Sequence, residues 1–191
     1  LTVICMMKGI FRIVHAGDGP RASFAASFTP MTNPLLELKK AGQSVWLDYI
    51  RRDLIETGEL ARMVDKDGLA GLTSNPAIFE KAIASGLYKD GVREAAARSS
   101  DTKRIYEALA IRDIRLAADA IRPVYDASAG ADGYVSLEVS PVLARDTAGT
   151  LAEARRLWAE VDRPNLMIKV PGTPEGVPAI RELLADGINV N

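Results

Sequence analysis

Asn165-Leu166-Met167-Ile168-Lys169-Val170-Pro171-Gly172-Thr173 sets a lysine inside an apolar run that a Pro-Gly pair closes. Alternation along a strand places Leu166, Ile168 and Val170 on one face and Met167 and Lys169 on the other. An ammonium buried there would cost several kcal/mol or titrate at lower pH, and an amine so shifted is a usable nucleophile near neutrality. The competing reading is an edge strand whose lysine reaches out to water. Whether neighbouring strands carry polar residues in the same phase decides between the two.

Working outward, four more strand candidates repeat the pattern. Ser44–Ile50 is rich in β formers, Leu69–Ser74 is short and closed by Asn75-Pro76, Tyr134–Ser140 alternates most clearly, and Gly187–Asn191 begins a fifth. Helical patterns lie between them: Asn33–Lys40 with Asn33 as cap and Pro34 at the first helical position, Asp53 to Gly68, and Ala77–Ser85. Tyr88–Ala97, Thr102–Val124 ended by Pro123, Thr147–Val161 and Pro174–Ala185 follow. Strand then helix, with crossovers of a dozen residues or more, is the pattern of parallel βαβ units. A doubly wound sheet and a (β/α)8 barrel both fit. The absence of Gly-x-Gly-x-x-Gly after the first strand and of any Walker-type loop favours the barrel.

A barrel turns one face of every strand toward helices and the other toward the axis, which opens at the strands' C-terminal ends. Val45, Leu47, Tyr49, Ala70, Leu72, Val135, Leu137, Val139, Leu166, Ile168, Val170, Ile188 and Val190 then face outward. Asp48, Thr73, Asn75, Ser136, Glu138, Lys169, Asn189 and Asn191 face inward. Each has a plain alternative. Asp48 could cap a helix, Asn75 could fill the turn before Pro76, Glu138 could be a surface carboxylate, and Asn191 could be merely the last residue. Taken together, Asp48, Asn75, Glu138, Lys169 and Asn191 in phase at one end form a site.

Composition narrows the chemistry. The 191 residues are 48% hydrophobic and 26% charged, enough for one globular domain, and 24 basic against 25 acidic side chains give a net charge of -1. Such a balance offers no general field for nucleic acid or an anionic membrane, and no apolar run approaches the ~20 residues that span a bilayer. The one cysteine, Cys5, and the one histidine, His15, both precede Asn33. The remainder therefore lacks imidazole and thiolate metal ligands and any Ser-His or Cys-His pair, so no metal or other cofactor is expected. Unpaired cysteine usage fits a reducing cytoplasm. A lysine beside an Asp, a Glu and amides suits carbonyl chemistry through a Schiff base, with carboxylates moving the protons.

Five blocks carry a resemblance: Trp46–Arg52, Gly71–Phe79, Ser136–Pro141, Leu166–Pro171 and Gly187–Asn191 resemble, in that order, the transaldolases. The resemblance covers about residues 33–191 and is nearest the long bacterial form, which also occurs fused to glucose-6-phosphate isomerase. It implies a class I aldolase-type (β/α)8 barrel of the pentose phosphate pathway. Such an enzyme moves a dihydroxyacetone unit from sedoheptulose 7-phosphate to glyceraldehyde 3-phosphate, with fructose 6-phosphate and erythrose 4-phosphate as the other partners. It casts Lys169 as the Schiff-base lysine, Asp48 as general acid/base for C–C cleavage and Glu138 as a proton relay through a water. Asn75, Asn191 and Thr73 become substrate-binding residues.

The family's threonine just past Asn191, and its later phosphate-gripping serine and arginine, have no counterpart here. The chain is therefore expected to hold about five of eight strands, as residues 31–191, and to be inactive by itself. Residues 1–30 are expected to be a non-native or unstructured leader. Another Schiff-base aldolase, such as a fructose 6-phosphate aldolase, is the nearest alternative, against which the long helical insertion between strands two and three argues. A non-catalytic partial barrel is the other.

Overall fold

Six strands form a single sheet in the computed structural model, which describes residues 3–7, 10–14 and 33–191. Strands β1 (Val3–Met7) and β2 (Ile10–Val14) precede α1 (Pro34–Lys40), β3 (Ser44–Asp48), α2 (Arg52–Glu56), α3 (Glu59–Asp67) and β4 (Leu69–Thr73). The helices α4 (Pro76–Ala82), α5 (Lys89–Ala96) and α6 (Thr102–Ala127) lead to β5 (Tyr134–Glu138). Helix α7 (Thr147–Val161), β6 (Leu166–Lys169) and α8 (Gly176–Ala185) complete the order.

The strands lie as β2-β1-β3-β4-β5-β6, and β3 through β6 are parallel neighbours in sequence order. A doubly wound sheet would reverse direction at a switch point, whereas a barrel adds each strand beside the last. The observed order is the barrel's. Residues 187–191 start a fifth parallel strand: Val190 bridges Ile168, the Ile168 N–H donates to Asn189 O at 2.8 Å, and the Asn191 N–H donates to Ile168 O at 2.9 Å.

The outward faces pack as alternation requires. Val45, Leu47, Leu72, Val135, Leu137, Val139, Leu166, Ile168 and Val170 share one core with Ile114, Ala117, Ala118 and Ile121 of α6 and Leu157 and Val161 of α7. The register of β3 on β4 slips at Ala70, so Leu69, rather than Ala70, joins Leu72 in that core. The opposite face is built differently. Trp46, 3% exposed, lies where a Cβ on Gly71 would come within 2.2 Å of its indole, and its Nε1 donates to Ser44 Oγ. Only a glycine at 71 lets that ring fill the space beneath the strand ends.

Local sequence accounts for the helix ends. Asn33 and Asn75 accept from the backbone at the starts of α1 and α4 with proline following, and Asp101 and Asp146 do the same for α6 and α7. Two boundaries differ from expectation. The single helix expected from Asp53 to Gly68 is two, because Gly58 takes a left-handed φ of 79° between α2 and α3. Pro123 does not end α6, which runs on to Ala127. The proline is on the exposed side, where the carbonyl it leaves unpaired can turn to water, while Ile114, Ala118 and Ile121 keep the buried side in register.

Two segments of the stretch expected to be a leader are described. Residues 3–7 and 10–14 form a hairpin whose β1 pairs antiparallel with β3, Ile4 opposite Trp46. An unpaired strand edge is a template for any β-forming segment, and Val-Ile-Cys and Ile-Phe-Arg-Ile-Val are such segments. The rest of that stretch, His15 included, lies outside the described residues.

Candidate active site

Asp48, Thr73, Glu138 and Lys169 are the last residues of β3, β4, β5 and β6. Alternation gives them one face, and the parallel register gives them one level: Asp48 is opposite Thr73, and Glu138 is opposite Lys169. Four polar side chains thus gather where a barrel opens.

Lys169 Nζ lies 3.2 Å from Glu138 Oε2, their side chains 30% and 23% exposed. It also donates to the backbone carbonyl of Ser74 at 3.2 Å. Both charges of the pair are fixed by rigid strand ends, which limits the rotamer entropy that weakens ordinary surface pairs. Asp48 completes the group: burial pushes its carboxyl above the ordinary 3.8, the Lys169 charge pulls it back, and the Glu138 charge adds to the rise. A carboxyl so placed exchanges protons closer to neutral pH than a free one.

Asn191 and Asn75 are each tied down. Asn191 Nδ2 donates to Ser136 Oγ at 2.7 Å, and Ser136 is fully buried. Asn75 Oδ1 accepts from the Ile78 N–H at 3.0 Å, capping α4. With one lone pair of the oxygen committed, Asn75 keeps both N–H donors and the second lone pair for a ligand. Thr73 is buried beside Asp48.

Three features escape a reading by strand parity. Ser74, 1% exposed, donates from its hydroxyl to Ser136 O at 3.0 Å, and parity alone sends it to the helix side. Tyr106 of α6 packs edge-on against Phe79 and shares with Glu138, Ser140 and Leu157 a cavity of about 150 Å³. Burial and the charges of Glu138 and Glu107 push the Tyr106 phenol up to about 12. Behind Asp48, Arg52 donates through Nε and Nη2 to Asp113 Oδ1 at 2.9 and 2.8 Å, with Tyr88 donating to the other oxygen. The sequence cue for this last group is an Arg-Arg pair directly after the Asp48 strand.

Among the described residues no three His, Cys, Asp or Glu side chains gather to hold a metal ion, and no helix is long and apolar enough to cross a membrane. What the group can do is add an amine to a carbonyl: a lysine Nζ held at a strand end, with two carboxylates within range to take and return protons.

Known proteins share this arrangement of sequence. The sequence profile of the transaldolase/fructose-6-phosphate aldolase family matches residues 45–191. The chain is 53% identical over 161 residues to Transaldolase 2 of Nostoc punctiforme, covering 84% of this chain and 42% of that protein. It is 55% identical over 156 residues to a transaldolase of Thiobacillus denitrificans, covering 81% and 44%. It is 54% identical over 162 residues to one of Frankia alni, covering 84% and 44%. The chain spans less than half the length of these curated relatives. With the barrel strand order, the strand-end lysine and a profile match over most of its length, the chain belongs to the transaldolase/fructose-6-phosphate aldolase family.

Proposed function

We infer that residues 45–191 supply the imine-forming half of a transaldolase that passes a dihydroxyacetone unit from sedoheptulose 7-phosphate to glyceraldehyde 3-phosphate, releasing erythrose 4-phosphate and forming fructose 6-phosphate. The observation that carries it is the Lys169–Glu138 pair at 3.2 Å on adjacent strand ends, with Asp48 close enough to respond to both charges. The activity is assigned to an eight-stranded barrel, of which the described residues supply four parallel strands and the start of a fifth. A reducing cytoplasm suits it.

The neutral Lys169 amine adds to the ketone carbon, its N–H proton passing to Glu138 directly or through a water, and the carbinolamine oxygen leaves as water once protonated. The resulting iminium draws in the electron pair of the adjacent C–C bond as Asp48 takes the proton of the hydroxyl on the departing carbon, which leaves as an aldehyde. The enamine then attacks the carbonyl carbon of the acceptor aldehyde, and Asp48 returns its proton to the new alkoxide; water adds to the iminium so re-formed, Glu138 moves the protons, and the C–N bond breaks to free the ketose and the Lys169 amine. Asn75 and Asn191 hold the dihydroxyacetone hydroxyls, and Thr73 lines the same floor. The helical insertion α4 to α6 between β4 and β5 favours this over a fructose 6-phosphate aldolase.

A hybrid tests it. Residues 45–191 replace the matching segment of the Thiobacillus denitrificans relative, and fructose 6-phosphate is added with borohydride. Peptide mapping is expected to find the reduced adduct on Lys169 alone. An adduct on Lys81 or Lys103, or a folded hybrid without any adduct, overturns the assignment.

A further inference from the structure

Beneath the Lys169–Glu138 pair, two buried serines stitch the strands together. Ser136, fully buried on β5, accepts from Asn191 Nδ2 at its hydroxyl and from the Ser74 hydroxyl at its carbonyl, at 2.7 and 3.0 Å. Strand β4 ends at Thr73, so Ser74 lies one residue beyond it. Its hydroxyl substitutes for a backbone donor and holds the chain against β5 one residue further. The Ser74 carbonyl is the acceptor for Lys169 Nζ at 3.2 Å.

We propose that Ser74 is a positioning residue for the Lys169 amine, acting through its backbone carbonyl, with Ser136 as its anchor. An ammonium has three N–H donors. One is donated to Ser74 O at 3.2 Å, and the Glu138 carboxylate, its ion-pair partner with Oε2 3.2 Å away, claims a second side of the nitrogen. When the third proton leaves, the lone pair appears in the one direction that neither acceptor occupies. Glu138 alone cannot fix that direction, because one acceptor leaves the lone pair a choice of two positions on the nitrogen. The second acceptor removes the choice, so the lone pair is aimed before any carbonyl compound arrives. Aim of this kind governs rate rather than affinity, and a misplacement near 1 Å costs on the order of 100-fold. The inference rests on reading Lys169 as the imine-forming amine.

The test uses two reagents on the full chain, wild type and the variants Ser74→Ala and Ser74→Thr. Formaldehyde with cyanoborohydride methylates any amine without an orientation demand, and Lys169 is read against Lys103 by peptide mapping. Dihydroxyacetone with borohydride reads aimed addition to a ketone. Ser74→Ala is expected to raise the Lys169-to-Lys103 methylation ratio a few fold, because the amine is released. It should also lower ketone trapping on the order of 10- to 100-fold at unchanged half-saturation. Ser74→Thr, which keeps the hydroxyl, should retain both wild-type values.

Loss of fold would also free Lys169 and lower trapping, but it would raise the half-saturation as well, so opposed movement at unchanged half-saturation is the signature. If the two rates of Ser74→Ala fall or rise together, or neither changes, the positioning role is wrong. If the wild type traps no ketone on Lys169, the functional reading fails in this chain. The methylation ratio then decides the positioning role by itself: a rise in Ser74→Ala that Ser74→Thr lacks supports it, and an unchanged ratio overturns it.

Discussion

Replacing Asp113 by alanine should be among the most damaging single changes outside the site. Asp113 is fully buried in the middle of α6, and Arg52, 9% exposed, is the first residue of α2, four past Asp48. The guanidinium donates twice to Asp113 and lies 4.5 Å above the Tyr88 ring, while the Arg52 N–H donates to the Tyr88 hydroxyl at 3.1 Å. Asp113→Ala strands a buried cation, which costs about 3–5 kcal/mol, and leaves the Tyr88 proton without an acceptor, worth ~1–3 kcal/mol when counted alone. The two losses belong to one network and do not simply add. A net loss of about 4 kcal/mol is expected, a large share of the ~5–15 kcal/mol that holds a domain together. With a urea slope of roughly 2 kcal/mol per molar, the unfolding midpoint should drop by about 2 M. Arg52→Met with Asp113→Leu removes both charges and should lie within ~1 kcal/mol of wild type. A midpoint shift under about 0.5 M for Asp113→Ala, or a double variant as unstable as the single one, would refute the reasoning.

Three further outcomes are expected. Asp48→Asn should stabilise the fold at pH 7 but not at pH 3. The folded chain holds Asp48 above its ordinary 3.8, so the stability it contributes as an acid is present below the unfolded value and is lost as pH rises through the folded one; thermal melts showing Asp48→Asn less stable at pH 7 would contradict this. In the hybrid enzyme, single-turnover kinetics should show Asp48→Asn slowed ~10² to 10⁴-fold in C–C cleavage and Glu138→Gln slowed in imine formation, and equal damage to one step would reject the division. Gly71→Ala drives a methyl into the Trp46 indole, so urea unfolding should register a loss of about 1–3 kcal/mol, partly restored by Trp46→Leu.

Period-2 alternation made much of this readable beforehand, because burial on a barrel strand follows residue parity. Leu166 and Ile168 are fully buried on the helix side, and Lys169 faces Glu138 on the other, as alternation alone requires. Backbone-mediated contacts left no such trace. Ser74 acts on Lys169 through a carbonyl that every residue type possesses, and only the end of β4 at Thr73 makes that carbonyl available. Asp113 was equally opaque: Asp119 and Asp126 of the same helix are exposed, and what distinguishes Asp113 is a partner 61 residues away. Pro123 shows the reverse case, a strong local breaker overruled by packing along the opposite side of α6. The slip at Ala70 moved one outward position because a bulge depends on both strands of a pair and neither sequence alone declares it.

The contact between Lys169 and the Ser74 carbonyl spans 95 residues, and the one between Ser74 and Ser136 spans 62. At the ~5–20 residues per second of protein synthesis, Lys169 leaves the ribosome roughly 2 to 7 s after Ser136, the later of the two serines, does. That interval is long compared with the time in which strands and helices form. The two serines therefore meet first, and the carbonyl destined for the amine is already fixed when β6 emerges. The nascent chain prepares the socket before it makes the side chain that fills it.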